Sequence, residues 1–223
     1  MAFDAQEFAD FVLQNGVIGF FEQPIKLASG RLSNHYVNWR NVAKDTFLLE
    51  RTADYLLDFV KQLGLEPKCF LGAPEGATKL AVLAQYKWAK AQPDYGPGAY
   101  AIAMARGKPK DHGEAKDKYF VGIPQGPTIV IEDATTTGGT LITAIQNVQA
   151  AGIPVIAAVV LVNRNEIRDD GKSAKEAVEA LGVPYYAMCN LKDILPFLYE
   201  QLKPNAATRA AVDAYFTKYG VKD

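Results

Sequence analysis

The stretch TIVIEDATTTGGT, Thr128 to Thr140, sets two carboxylates, Glu132 and Asp133, directly before a run of hydroxyls and glycines. Its first residues are β-branched and read as a buried strand. The chain then turns through Ala134, Thr135, Thr136, Thr137, Gly138, Gly139 and Thr140 into a helix expected to begin near Leu141. Glycines let successive backbone N–H groups converge on one point, threonine hydroxyls add donors, and a helix N-terminus adds partial positive charge. That combination is a phosphate cradle. Carboxylates do not favour a phosphate, but they accept hydrogen bonds from vicinal hydroxyls or balance a cation. Acids beside a phosphate cradle therefore point to a sugar phosphate. A plain capped turn with surface acids is the competing reading, yet a cap needs no such density of threonine and glycine.

A second stretch, RGKPKDHG, carries Arg106, Lys108, Lys110 and His112 within seven residues. It opens the glycine-rich, charged connection from Arg106 to Pro127, which lacks an apolar period and reads as a lid or a disordered segment. Cations on such a loop would stabilise an anionic leaving group, and an imidazole could donate a proton. Closure would keep water from a reactive intermediate. A solvated charged loop is the competing reading. Arg164 follows the apolar run VIAAVVLVN; its fork could hold a planar carboxylate by two parallel hydrogen bonds, or simply face solvent. There is no Walker loop, no HExxH and no paired CxxC, and GPGAYA at Gly96 precedes a strand where a dinucleotide fingerprint would follow one.

The elements that must position these groups alternate. DAQEFADFVLQNG reads as an amphipathic helix capped by Asp4, and IKLASGRLSNHYVNWRNV as a strand pair. A helix is expected from Thr46 to Leu63. Strands follow at KCFLGAP, AYAIAMA, TIVIED, PVIAAVVLVNR and VPYYAMC, with helices at ATKLAVLAQYKWAKAQ, LITAIQNVQAAG and SAKEAVEALG, and two more closing the chain. Strands alternating with helices, and apolar along their whole length, predict an α/β fold with a parallel sheet covered on both faces. The 223 residues are 49% apolar, enough for one domain with a full core. A net charge of −1 gives no general attraction to nucleic acid or anionic membrane. Cys69 and Cys189 form no disulfide framework and read as reduced core thiols. No charged-then-apolar leader and no bilayer-length apolar run is present, so a cytosolic protein is expected.

VIEDATTTGGT resembles the phosphoribosyl-pyrophosphate motif of type I phosphoribosyltransferases. The resemblance implies that Glu132 and Asp133 contact the ribose hydroxyls and that Ala134 to Thr140 binds the 5-phosphate. RGKPKDHG is similar to the R-K-x-x-K-x-H-G loop of orotate phosphoribosyltransferases. Arg106, Lys110 and His112 match; Gly107 stands at the family's lysine, and Lys108 follows one place later. KLASGRLSNHYVN resembles that family's hood segment, which implies that Tyr36 and Val37 flank the pyrimidine and that Ala28 contacts it through its backbone. GAPEGATKLA resembles the pyrophosphate loop, implicating Ala73 and Pro74, with Gly76 where some relatives carry lysine. NRNE matches D-R-x-E at Arg164 and Glu166 but not at Asn163; the resemblance implies that Arg164, with Thr136, holds orotate.

The implied fold is a single domain over residues 1–223, a central parallel sheet flanked by helices, with a small hood built mainly from residues 1–45 and part of the C-terminal region. The implied activity joins orotate to the phosphoribosyl group of phosphoribosyl pyrophosphate. Mg2+ is implied as cofactor, held mainly by substrate and water and not by protein ligands. A homodimer with the lid shared between subunits is also implied. Two readings stay open beside it: a phosphoribosyltransferase for another base, and a non-catalytic sensor of phosphoribosyl pyrophosphate.

Overall fold

Asp4 starts the first helix as its position predicts: its carboxylate accepts from the N–H groups of Gln6 and Glu7, and α1 spans Ala5–Gln14. The computed structural model describes residues 2–27, 30–111 and 117–222. Gly16, at φ 61, turns the chain directly into an antiparallel hairpin of β1 (Ile18–Lys26) and β2 (Leu32–Val37). The hairpin therefore begins well before the expected IKLASG. Its ladder breaks between Phe20 and Ile25, where Pro24 has no N–H to give; Asn34 fills the gap by donating to the carbonyls of Phe21 and Glu22.

The segment WRNV, expected to end the strand pair, is instead a helical turn, α2 (Arg40–Ala43). The Asn38 side chain accepts from the Arg40 N–H at 3.0 Å, a local bond that competes with a strand ladder. Asp45 then caps α3 (Thr46–Gln62), and β3 (Cys69–Gly72) and α4 (Thr78–Lys90) follow.

AYAIAMA departs furthest from expectation. Only Met104–Ala105 form a strand, β4, and it pairs antiparallel with β5 (Phe120–Val121) outside the parallel sheet. The alanine-rich run offers few large side chains to bury on two faces: Ala103 is buried while Ile102 is 51% exposed. The pairing ties together the two ends of the charged connection. Backbone bonds from Arg106 to Tyr119 and from Lys110 to Lys118 carry it outward, so the base of the expected lid is an antiparallel arm.

The rest is β6 (Thr128–Thr135), α5 (Gly139–Ala150), β7 (Val155–Asn163), α6 (Ala174–Glu179), β8 (Tyr185–Asn190), α7 (Leu191–Leu202) and α8 (Ala206–Tyr219). The four strands β3, β6, β7 and β8 lie in that order and are all parallel. Their side chains alternate between two dry faces. Phe70, Ile129, Ile131, Val159 and Leu161 pack with residues of α1, α3, α4 and α7, whereas Leu71, Val130, Ala158 and Val160 pack with α5 and α6. Burial on both faces is why these strands read as continuous apolar runs. Helix α8 returns to the N-terminal hairpin and lays Tyr215 and Phe216 against His35 of β2. Cys69 and Cys189 are free and buried, and burial pushes their thiols up to about 11 and about 12. Among the described residues no helix is long and apolar enough to cross a membrane.

Candidate active site

Strand β6 outruns β3. Their ladder ends at Gly72↔Ile131, while β6 stays paired with β7 as far as Thr135↔Asn163. Glu132 and Asp133 therefore emerge at the carboxyl end of the sheet beside a crevice, the usual ligand position in an open α/β sheet. Glu132 is only 8% exposed. The backbone N–H of Leu141, at the start of α5, donates to its carboxyl group, and Oε2 has no partner among the described residues. Burial, and then the neighbouring Asp133 charge, raise Glu132 from its ordinary 4.5 to about 8. Burial also raises Asp133, opposed by backbone N–H groups and by the charge of Arg40.

The loop after β6 is shaped by Gly138, at φ 72, which caps α5. A side chain there would be strained and would meet the Ala174 Cβ at 3.1 Å. The first-turn amides of α5 have no intrahelical carbonyl to bond; that of Leu141 goes to Glu132, and a helix start of this kind suits an anion at the amides before it. Arg168 donates to the Thr137 carbonyl at 2.6 Å and pairs with Asp170, which ties the loop to the segment after β7. Thr135, expected in the cradle, is instead the last residue of β6; its buried hydroxyl meets the Tyr185 hydroxyl at 3.1 Å, away from the ligand space. Its side chain is strand-facing because β6 continues two residues beyond the acids.

A cavity of about 390 Å³ is lined by Tyr36, Val37, Glu132, Asp133, Ala134, the segment Thr136 to Thr140, and Arg164. The two acids, the phosphate loop and three of the four described residues the resemblance assigns to the base, Arg164, Tyr36 and Val37, thus share one space with the fourth, Thr136. Ala28 lies outside the described residues. Thr140 also borders two adjoining cavities. One, of about 590 Å³, holds Arg40, Pro74, Gly76 and Lys79; the other, of about 720 Å³, holds Pro74, Glu75, Arg106 and Lys108. Ala73 is buried and contributes backbone only, its N–H bonded to the Ile131 carbonyl. Arg106 donates its Nε to the Phe120 carbonyl at 3.0 Å, which anchors it at the base of the arm; Lys108 and Lys110 are exposed further out. His112 lies outside the described residues. Among the described residues no group of three or more His, Cys, Asp or Glu side chains could hold a metal ion.

Glycines settle two departures from the family pattern. A Cβ at Gly76 would meet both carboxylate oxygens of Asp133, so a side chain here requires that carboxylate to shift. A Cβ at Gly107 would sit 2.8 Å from Glu75 Oε1, so the Glu75 carboxylate occupies the space at the lid's missing lysine.

Arg164 is buried, not a surface cation, at 3% exposure. Its Nε donates to Glu166 Oε1 at 2.8 Å, and its Nη2 donates to His35 Nε2 at 3.1 Å. Glu166 Oε2 accepts from Arg31 at 3.0 Å and from the Tyr215 hydroxyl at 2.7 Å. The sequence reading missed His35, Arg31 and Tyr215. The only signal for His35 was β2 alternation, which places Ser33, His35 and Val37 on one buried side.

No protein-family model matches the chain. It is 31% identical to the orotate phosphoribosyltransferase of Bradyrhizobium diazoefficiens over 77% of this chain and 87% of that one. It is 30% identical to that of Bordetella pertussis over 97% of each. The chain belongs to the orotate phosphoribosyltransferase family. Solved structures agree in fold. The orotate phosphoribosyltransferase of Francisella tularensis superposes with a TM-score of 0.69 at 20% identity, covering 96% of this chain and 99% of that one. The Leishmania donovani UMP synthase superposes with 0.70 at 21% identity, covering 95% of this chain and 42% of that one. The parallel sheet flanked by helices is thus the type I phosphoribosyltransferase fold that the motifs implied.

The close approach at Gly76 makes a prediction. Gly76→Ala should displace the Asp133 carboxylate and raise KM for phosphoribosyl pyrophosphate by about tenfold or more, the cost of about one charge-assisted hydrogen bond, with the unfolding midpoint little changed. An unaltered KM would show that the carboxylate moves aside freely. The burial of Glu132 makes another. Its folded pKa lies above its unfolded value, so its stabilising contribution is complete below about 4.5 and is lost as pH rises to about 8. Urea unfolding of the ligand-free protein should therefore show stability falling over that window. Glu132→Gln should flatten the fall and be more stable at high pH by up to a few kcal/mol. Identical slopes in both proteins would refute the burial argument.

Proposed function

We propose that this chain is an orotate phosphoribosyltransferase. A bond forms between a ring nitrogen of orotate and C1 of the ribose; the bond from C1 to pyrophosphate oxygen breaks; the ring nitrogen's proton passes to the departing pyrophosphate, and orotidine 5′-phosphate and pyrophosphate leave. The observation that supports this most is the shared cavity, with diol-binding acids and a phosphate loop on one side and a buried guanidinium on the other.

Each group has a role that follows from its chemistry. The amides and hydroxyls of Thr136 to Thr140 hold the 5-phosphate, with Arg168 bonded to the Thr137 carbonyl. Glu132 and Asp133 accept from the ribose hydroxyls; Glu132 Oε2, without a partner among the described residues, is the acceptor most in need of such a donor. Arg164 receives the carboxylate of orotate while Tyr36 and Val37 bound the ring. Arg31 shares the carboxylate of Glu166 with Arg164 and also pairs with the exposed Asp169, so Arg164 is the buried cation that an anionic base would meet and a neutral base would not match. Pro74 and the pyrophosphate loop after it face the leaving group, while Ala73, expected to bind it, is buried behind them with its N–H on the Ile131 carbonyl. Arg106, Lys108, Lys110 and His112 meet its growing negative charge when the arm closes. The reaction needs no covalent enzyme intermediate; orientation and placed charge carry it.

Mg2+ would be held mainly by substrate oxygens and water, in a cavity that Glu132 and Asp133 line. When bound, Mg2+ supplies charge neutralisation at the pyrophosphate. A homodimer with the arm reaching the neighbouring subunit's site, a hood made by the hairpin and α8, and a cytosolic location complete the proposal.

The test follows orotate absorbance in a mixture of purified protein, Mg2+ and phosphoribosyl pyrophosphate, with uracil, adenine and hypoxanthine in parallel. Turnover is expected with orotate alone. Consumption of a neutral base, with orotate untouched, would overturn the assignment. Lys110→Ala should lower kcat by about a hundredfold or more while KM for phosphoribosyl pyrophosphate changes little; an unchanged kcat would remove the arm from catalysis.

A further inference from the structure

His35 is a fully buried histidine within the hood segment, and the resemblance assigns it no role. Its ring is held on every side. Phe216 stacks on one face at 5.0 Å with an interplanar angle of 16°, and Tyr215 meets it edge-on at 5.0 Å. Nδ1 lies 3.1 Å from Ser33 Oγ, and Nε2 lies 3.1 Å from Arg164 Nη2.

Two independent constraints fix where its proton is. A guanidinium only donates, so Nε2 must be the acceptor. Ser33 Oγ has one proton, and it goes to the His35 carbonyl at 2.7 Å; toward the ring the hydroxyl can only accept. The imidazole is therefore neutral, with its proton on Nδ1. The charged and titratable groups packed around it are Arg164 from the end of β7 and Tyr215 from α8, the latter bonded to Glu166. A second ring proton would lie against the guanidinium, without water. Burial first, and then the Arg164 charge, lower His35 to about 3.

Arg164 thus has one anchor on each side: Glu166 takes Nε and the neutral His35 takes Nη2. We infer that His35 is a positioning residue for the acceptor site, whose unprotonated Nε2 fixes the Arg164 fork in the orientation that receives a planar carboxylate. A neutral acceptor has a consequence that a second carboxylate would not. It orients the guanidinium without cancelling its charge, so the charge remains for the ligand. Ser33 and the α8 aromatics act through His35, which gives the C-terminal helix a share in selecting an anionic base. The inference rests on the reading of Arg164 as the orotate-binding group.

The chain has two histidines, His35 and His112, so 15N-histidine labelling gives two resolvable rings. One ring should stay neutral with its proton on Nδ1 from about pH 8 down to about pH 5, the span over which an ordinary histidine changes charge. Its Nε2 resonance should shift on saturation with orotate. His35→Phe keeps an aromatic ring and removes the acceptor; it should raise KM for orotate by about tenfold or more, with KM for phosphoribosyl pyrophosphate within about twofold. His35→Gln, which returns an acceptor near Nε2, should recover most of the loss. If the wild-type protein does not consume orotate, the functional reading itself fails. If it does, and a folded His35→Phe leaves KM for orotate unchanged or raises both KM values equally, the inference alone is overturned. Should both variants fail to fold, the labelled wild type decides. Both rings titrating near neutrality, or a buried ring with its proton on Nε2, would refute the assignment.

Discussion

A carboxylate removed from water must find donors or take up a proton, and Glu132 is in that position. The parallel sheet brings it there. β6 is flanked by β3 and β7 and buried on both faces, so the first acid after its apolar run is still inside the protein. Among the described residues one of its carboxyl oxygens has nothing to bond. A strand designed only for stability would not end this way. Any ligand that brings hydroxyl donors to this carboxyl group would relieve the cost of burying it. The phosphate loop depends on the same geometry, since the N–H that reaches Glu132 belongs to Leu141 in the first turn of α5.

The opposite wall is organised by charge. Arg164 leaves β7 next to the cavity, and Glu166, two residues on, folds back to hold it. Arg31 and Tyr215 converge on the same carboxylate from the hairpin and from α8. Breaking a buried pair of this kind by removing one partner is severe, because the survivor is left charged and dry. The cluster joins three distant parts of the chain, and so couples the packing of the C-terminal helix to the shape of the base pocket.

Much of this was legible in the residues. The strands from Thr128 and Val155 and the helices after them fell where expected, because continuous apolar runs bounded by glycine admit few alternatives. Glu132, Asp133 and Arg164 were legible because acids and an arginine directly after such runs must lie at strand ends. The errors occurred where local signals competed. WRNV follows a strand pattern, but Asn38 accepts from the Arg40 N–H and starts a helical turn instead. AYAIAMA was too poor in large side chains to hold a place in the sheet. Thr135 counted as loop because nothing local shows how far a ladder extends past its acids.

The sequence by itself determined the order of elements and which chemical groups stand at strand ends, because period and composition act over a few residues. Only the tertiary structure decided the electrostatic state of those groups. Whether Glu132 keeps its proton, whether Arg164 faces solvent or a buried histidine, and whether position 76 tolerates a side chain all depend on atoms contributed by segments far away in the chain. Desolvation and close contact are properties of what surrounds a residue, and a residue's neighbours in space are not its neighbours in sequence.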